Sequence, residues 1–176
     1  MRKVLFALVI SMALSVCLYG QTRIVESGTA TLQSRKVDRT TGQDNYVNAA
    51  YSFEKATNGT LGLSLTRNDW DILFSSYPDA DGRVVRDVFG VTMVVDDRSR
   101  LRDLGKVDWN DSITLPVLPA FDKPENEKPA DAIVGHMYLV HTVDGDSDFY
   151  TLFRLDEMKS GESAKISWKR IPPPIQ

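Results

Sequence analysis

Three aspartates separated by single residues, Asp144, Asp146 and Asp148, stand together in one short turn. Carboxylates at positions 1, 3 and 5 are typical of the start of an EF-hand calcium loop. Position 6 is Phe149 where that loop needs glycine, and position 12 is Leu155 where it needs glutamate, so an EF-hand is excluded. The pattern predicts a looser calcium site at the three aspartates. In the simpler interpretation it is a hairpin turn whose carboxylates face water.

A second candidate is a group of three arginines at alternating positions, Arg98, Arg100 and Arg102. A guanidinium group matches carboxylate, phosphate and sulfate oxygens with two parallel hydrogen bonds. The spacing therefore predicts a basic patch that binds an oxyanionic ligand. In the simpler interpretation, Asp96, Asp97 and Asp103 neutralise the arginines as surface ion pairs of little energetic weight.

A pair of carboxylates, Asp69 and Asp71, flanks a tryptophan and predicts a different kind of chemistry. Alternate residues of a strand lie on the same face about 7 Å apart, which suits the acid and base of a glycosidase. The alternative function is therefore a carbohydrate-active hydrolase that uses this pair. In the simpler interpretation, Trp70, Ile72 and Phe74 belong to the core and both aspartates face solvent.

The sequence contains two histidines, His136 and His141, and one cysteine, Cys17. The histidines are five residues apart on one predicted strand, so they point to opposite faces and cannot easily share a metal ion. We expect each to be a hydrogen-bonded histidine of a sheet. Because Cys17 lies in the segment that export would remove, the remaining chain would have no thiol for catalysis or metal binding.

These candidate residues lie on or between short runs that alternate apolar and polar side chains, which is the pattern of half-buried strands. No segment after residue 20 sustains the spacing of an amphipathic helix over a dozen positions. Turn dipeptides such as Asn58-Gly59 and Asp81-Gly82 separate some of the runs. We predict an all-β fold, an antiparallel β-sandwich or partly open barrel, with strands at 23–32, 46–55, 60–66, 70–75, 84–95, 113–118, 134–143, 148–155 and 164–171.

The alternation is clearest near the carboxyl end, over residues 134–171. Ala164, Ile166 and Trp168 alternate with polar residues, which predicts a strand with one buried and one solvated face. The two connections in this region are short enough for hairpins. We therefore expect a C-terminal three-stranded antiparallel meander.

A proline-rich segment at 115–132 separates the meander from the preceding strands. Proline lacks the N–H that a central strand must donate, so we expect a long crossing loop within a single domain that spans residues 21–176. The proline-rich tail at 172–176 should end the last strand, and residues 99–104 are the one helical candidate, a single turn.

The first 20 residues predict a signal peptide, since a basic start is followed by an apolar run from Val4 to Val16. That run is shorter than the roughly 20 residues of a membrane span. Cys17 offers a second interpretation, a lipoprotein signal in which the cysteine carries the lipid and anchors the protein to a membrane. Either route predicts a secreted, periplasmic or cell-envelope protein.

Composition narrows the function further, because the formal charge is −3 and no basic nucleic-acid footprint is present. The sequence predicts an exported, non-enzymatic β-sandwich protein that binds a ligand or partner. A protein, a glycan or a small molecule would each suit. No cofactor is predicted, apart from the calcium left open above. The binding site is expected at the arginine patch or at the Asp144 loop.

Overall fold

The computed structural model describes residues 26–38, 40–59, 70–91, 99–112, 114–119, 128–144 and 147–175. The predicted signal peptide and the predicted strand at 60–66 lie outside these residues. Within them, none of the helices has the length and apolar character needed to span a bilayer.

The described chain forms one short helix and ten strands. In chain order they are β1 (Ser27–Gln33), α1 (Tyr46–Ala49), β2 (Ala50–Ser52), β3 (Thr57–Asn58), β4 (Ile72–Pro78), β5 (Val84–Gly90), β6 (Arg100–Lys106), β7 (Ala130–Asp131), β8 (His136–Asp144), β9 (Ser147–Lys159) and β10 (Ser163–Ile171). Sheet I has the order β1-β10-β9-β8-β6, and sheet II has the order β3-β2-β4-β5-β7. All strand pairs in both sheets are antiparallel, so the predicted all-β sandwich architecture is confirmed.

The predicted three-stranded meander is present as β8, β9 and β10, which are consecutive in the chain and pair as neighbours. Ala164, Ile166 and Trp168 are almost fully buried, as their alternation predicts. On β9, Phe153 and Leu155 point into the same inter-sheet core. Burying a large apolar side chain contributes about 1.5–3 kcal/mol, so this face is the main reason that the sheets stay together.

Aromatic rings fill the space between the two sheets. Phe153 of sheet I lies 5.0 Å from Phe89 and 6.0 Å from Phe53, measured between ring centroids. Phe89 lies on β5 of sheet II, and Phe53 directly follows β2 of the same sheet. Trp168 donates from Nε1 to the hydroxyl of Tyr51 at 3.2 Å, which ties β10 to β2. A Cβ at Gly28, opposite Trp168 in the ladder, would lie 3.2 Å from the indole nitrogen, so glycine here lets the ring pack against backbone.

A buried carboxylate joins the two sheets at one end. Asp87 on β5 accepts hydrogen bonds from the Ser76 hydroxyl, from the Ser160 hydroxyl at 2.6 Å and from the Gly161 N–H at 3.1 Å. Ser160 and Gly161 form the turn between β9 and β10, so sheet II holds the tip of the sheet I hairpin. Gly161 has a φ of 73°, a left-handed conformation that favours glycine.

Three local predictions are wrong. Of residues 99–104, expected as a helical turn, 100–104 lie on strand β6, where pairing with β8 outweighs the local polar pattern. The predicted strand at 113–118 is absent from the described residues 114–119, which include Pro116 and Pro119. The first part of the predicted strand at 46–55 is the helix α1.

Tyr138 anchors the edge strand β7 from inside the core. Its side chain is fully buried, and its hydroxyl donates to the Asp131 carbonyl at 2.7 Å and accepts the Ile133 N–H at 2.8 Å. Burial raises the pKa of Tyr138 far above its ordinary value, and the Ile133 hydrogen bond offsets only part of that shift. The native state therefore holds this phenol neutral in alkaline solution.

We predict that the free energy of unfolding falls above about pH 10, because unfolded tyrosine ionises there while buried Tyr138 cannot. The stabilisation that comes from keeping Tyr138 neutral is complete below the ordinary tyrosine pKa. It is lost as the pH rises from there through the pKa that Tyr138 has in the folded protein. Each such phenol contributes a slope of roughly 1.4 kcal/mol per pH unit. Urea unfolding from pH 8 to 11 should show a shallower decline for Tyr138→Phe.

The matched control is Tyr77→Phe, because Tyr77 is 50% exposed on the surface of sheet II. This variant should keep the wild-type alkaline slope. Equal slopes for wild type and Tyr138→Phe would contradict the prediction.

Candidate functional site

The middle of the outer face of sheet I, which points away from sheet II, is buried rather than solvated. Met137 and Leu139 of β8 and Tyr150 and Leu152 of β9 form a second apolar cluster with Leu118. Leu118 belongs to residues 107–119, the segment directly after β6, and we call this segment the strap. Residue 113 of the strap lies outside the described residues. The strap thus covers the middle of the sheet and shapes the surface around it.

One end of the strap is fixed by side chains that donate to its backbone carbonyls. His141 Nδ1 lies 2.5 Å from the carbonyl oxygen of Leu118, and the Tyr150 hydroxyl donates to the same oxygen at 3.1 Å. Arg100 Nη1 donates to the carbonyl of Pro119 at 3.0 Å. Burial raises the pKa of Tyr150, which favours the hydroxyl form that donates. Together these donors hold the strap where Leu118 enters the cluster.

The His141 ring is held on three sides. It stacks on the Tyr150 ring with 4.1 Å between centroids, and its Nε2 lies 2.9 Å from Asp148 Oδ1. A carbonyl oxygen and a carboxylate both accept hydrogen bonds, so each of the two ring nitrogens faces an acceptor. This histidine is therefore placed to fix the strap.

The predicted arginine patch is only partly within the described residues, since Arg98 lies outside them. Arg100 and Arg102 lie on β6 opposite His141 and Leu139, and therefore on the outer face of sheet I. Arg102 is exposed, whereas Arg100 is half-buried against the strap. Binding of an oxyanion at these arginines stays a prediction.

The predicted calcium loop is also only partly described. Asp146 and the side chain of Asp144 lie outside the described residues, whereas the Asp148 carboxylate contacts His141. Among the described residues, no group of three metal-ligating side chains is positioned to hold an ion. Calcium at this loop stays a prediction.

Of the predicted acid pair, Asp69 lies outside the described residues and Asp71 is buried at 4% exposure. The Asp71 carboxylate accepts the backbone N–H of Phe53 at 2.5 Å. The expectation that Asp71 faces solvent is wrong, because its carboxylate satisfies a backbone donor beside β2. Trp70 and Phe74 are buried, as the core interpretation of this segment predicts.

The other end of the strap carries Trp109, which is half-buried, while the other two tryptophans of the chain are at most 5% exposed. Lys169 of β10 places its Nζ 4.9 Å from the centroid of a Trp109 ring. The Arg154 guanidinium of β9 lies 5.9 Å from the same ring and 3.8 Å from an Asp108 oxygen. Two cations thus border one half-buried indole on the outer face of sheet I.

Two clefts share Trp109 and Lys169 as walls. The first, which we call the apolar cleft, has a volume of about 270 Å³ and an apolar lining of Leu115, Met137, Leu152 and Ile171. Asp108 and Asp111 also line it. The second, which we call the hydroxyl cleft after Ser27, Thr29 and Ser167 of β1 and β10, has a volume of about 350 Å³. Gly28 and Trp168 also line it, so apolar surface lies between its hydroxyl groups.

No protein-family model, curated protein or solved structure matches the chain. The geometry around Trp109 is therefore the main support for a binding surface. Sequence reasoning missed this surface because it interpreted Lys169 only as part of the wet face of β10. The signal available was a tryptophan within the polar turn just after Lys106.

We predict that Leu118→Ala destabilises the protein by about 2–5 kcal/mol, because it removes the buried contact that holds the strap on sheet I. Urea unfolding measures the loss. Hydrogen exchange of the amides in 114–119 should accelerate in the variant.

The control is Val117→Ala, since the neighbouring side chain is 37% exposed. It should change stability by no more than about 0.5 kcal/mol. Similar losses for the two variants would show that Leu118 does not fix the strap.

Proposed function

We propose that the protein is an exported, non-enzymatic β-sandwich protein that binds a ligand at the cell envelope or outside the cell. Its binding surface is the groove formed by Trp109 with the apolar cleft and the hydroxyl cleft. The apolar run at 4–16 behind a basic start supports export.

The observation that carries this proposal is the position of Trp109. Part of its large aromatic ring stays in contact with water beside the two clefts, although burying that apolar area would be favourable. Ligand sites typically combine such an apolar wall with a few polar groups, over volumes of roughly 300–1,000 Å³. The groove has this composition and reaches this size when its two clefts are taken together.

Binding is favoured over catalysis by the contacts that the potential catalytic groups make. Asp71, one of the two carboxylates of the hydrolase alternative, is buried and accepts a backbone N–H. His141 contacts the strap and Asp148, and His136 Nδ1 lies 3.0 Å from Asp103. Each of these groups supports local structure, which leaves the Trp109 groove as the strongest candidate surface.

The test uses the three indole N–H signals of the processed protein in a ¹H–¹⁵N spectrum. The probes are neutral oligosaccharides, acidic oligosaccharides, apolar peptides and aromatic carboxylates. We expect at least one class to shift the Trp109 signal in a saturable way and to leave the signal of buried Trp70, which lines neither cleft, nearly unchanged. Measured by isothermal titration calorimetry, Trp109→Ala should weaken binding of that probe at least about tenfold, the usual cost of truncating an aromatic anchor.

The matched control is Tyr77→Ala, which removes a half-exposed aromatic side chain from sheet II. It should bind the same probe as wild type does. The proposal is rejected if no probe class saturates, or if Trp109→Ala binds as tightly as the control.

A further inference from the structure

We infer that the ligand of the Trp109 groove is an acidic saccharide, whose carboxylate lies in the hydroxyl cleft beside Lys169 and whose sugar ring lies against Trp109. This inference rests on the proposed function and names the ligand class that the groove would select. It depends on three features: an isolated cation, a set of hydroxyls and the shape of the joined clefts.

The isolated cation is Lys169. Within the described part of the chain, no carboxylate oxygen lies within ion-pair distance of its Nζ, and the group it contacts is the Trp109 ring. Lys165, on the same strand and the same face, instead bonds to Glu157 at 2.9 Å. Lys169 is the one charged residue among the described residues that line the hydroxyl cleft. That cleft therefore favours an anionic group.

The hydroxyls come from paired strands. Ser27 faces Lys169 across the β1–β10 ladder, and Thr29 faces Ser167, so all four side chains share the outer face of sheet I. The Ser167 Oγ is buried and has no hydrogen-bond partner among the described residues. Hydroxyl groups both donate and accept, so they match a carboxylate and the hydroxyls of a sugar equally well.

The ring of Trp109 supplies the second half of the recognition. A pyranose ring presents a face of C–H groups and an edge of hydroxyl groups, and a half-exposed indole offers a flat apolar surface to such a face. A planar aromatic acid would satisfy the indole and the cation, but its carboxylate alone would bond to only part of the set formed by Ser27, Thr29 and Ser167. An acidic sugar offers the same carboxylate together with hydroxyl groups, so the hydroxyl set favours the saccharide.

The apolar cleft selects the next sugar unit of the saccharide. It shares Trp109 and Lys169 with the hydroxyl cleft, so one extended ligand could occupy both. Asp108 and Asp111 line the apolar cleft and would repel a second carboxylate there. We therefore expect one acidic group to be recognised, with the neighbouring sugar in the apolar cleft.

The experiment compares two disaccharides that differ by one carboxylate, cellobiouronic acid (one glucuronate joined to one glucose) and neutral cellobiose, by titration of the Trp109 indole signal. We expect cellobiouronic acid to bind at least about tenfold more tightly, since a charge-assisted hydrogen bond contributes more than a neutral one. The preference should shrink as the salt concentration is raised from 20 to 500 mM, because the Debye length falls from about 20 Å to about 4 Å over this range.

Lys169→Met should abolish the preference for the acidic disaccharide, and Lys165→Met is the matched control. Both variants remove one positive charge from the outer face of β10, but Lys165 does not line either cleft. The control should keep the wild-type preference. The thermal midpoints of both variants and the dispersion of their spectra verify that they fold.

Three results overturn the inference, and they are distinguishable. If cellobiose, a peptide or an aromatic acid binds more tightly than cellobiouronic acid does, the groove binds ligands but the acidic saccharide is wrong. If no probe shifts the signal, the proposed function fails as well. Equal losses for Lys169→Met and Lys165→Met would assign the effect to net charge and reject the role of the cleft.

Discussion

The central strands of sheet I are apolar on both faces, and this constraint shapes the rest of the molecule. An antiparallel sheet commonly packs one face on a core and leaves the other in water. Here Phe153 of β9 enters the inter-sheet core while Leu152 enters the second cluster. Exposing that second face would leave several large apolar side chains in solvent, at roughly 1.5–3 kcal/mol each. Sheet I therefore needs a cover other than sheet II, and the strap provides it.

The composition of the strap explains how it is attached. Pro116 and Pro119 have no N–H to donate, so this stretch is unsuited to continuing the sheet as a paired strand. Its carbonyl groups still need donors when they approach the sheet. The donors come from side chains on three adjacent strands, Arg100, His141 and Tyr150. The same covering segment then places Trp109 beside β9 and β10, so attachment of the strap and formation of the groove are linked.

Much of the fold could be predicted from the sequence because apolar and polar residues alternate along the strands, and burial follows that alternation. The meander at 134–171 shows this best, with Ala164, Ile166 and Trp168 all buried. The predictions that failed concern positions where tertiary packing decides. Alternation separates the two faces of β9 but does not show that the face with Leu152 is covered, because the covering strap lies some thirty residues earlier in the chain. Strand β6 was not predicted for the same reason, because it forms by pairing with β8, which is distant in the chain.

The groove was harder to predict than the fold, and the two lysines of β10 show why. Lys165 and Lys169 are four residues apart, share one face and look equivalent in the sequence. Only the pairing of β10 places Lys165 opposite Glu157, and only the path of the strap places Trp109 beside Lys169. A lysine that already bonds to a carboxylate gains little from an anionic ligand, whereas one that rests on an aromatic ring can gain a new charge-assisted hydrogen bond. The chemical difference between the two residues is thus created by the fold, which is why residue type and spacing alone pointed to other candidates.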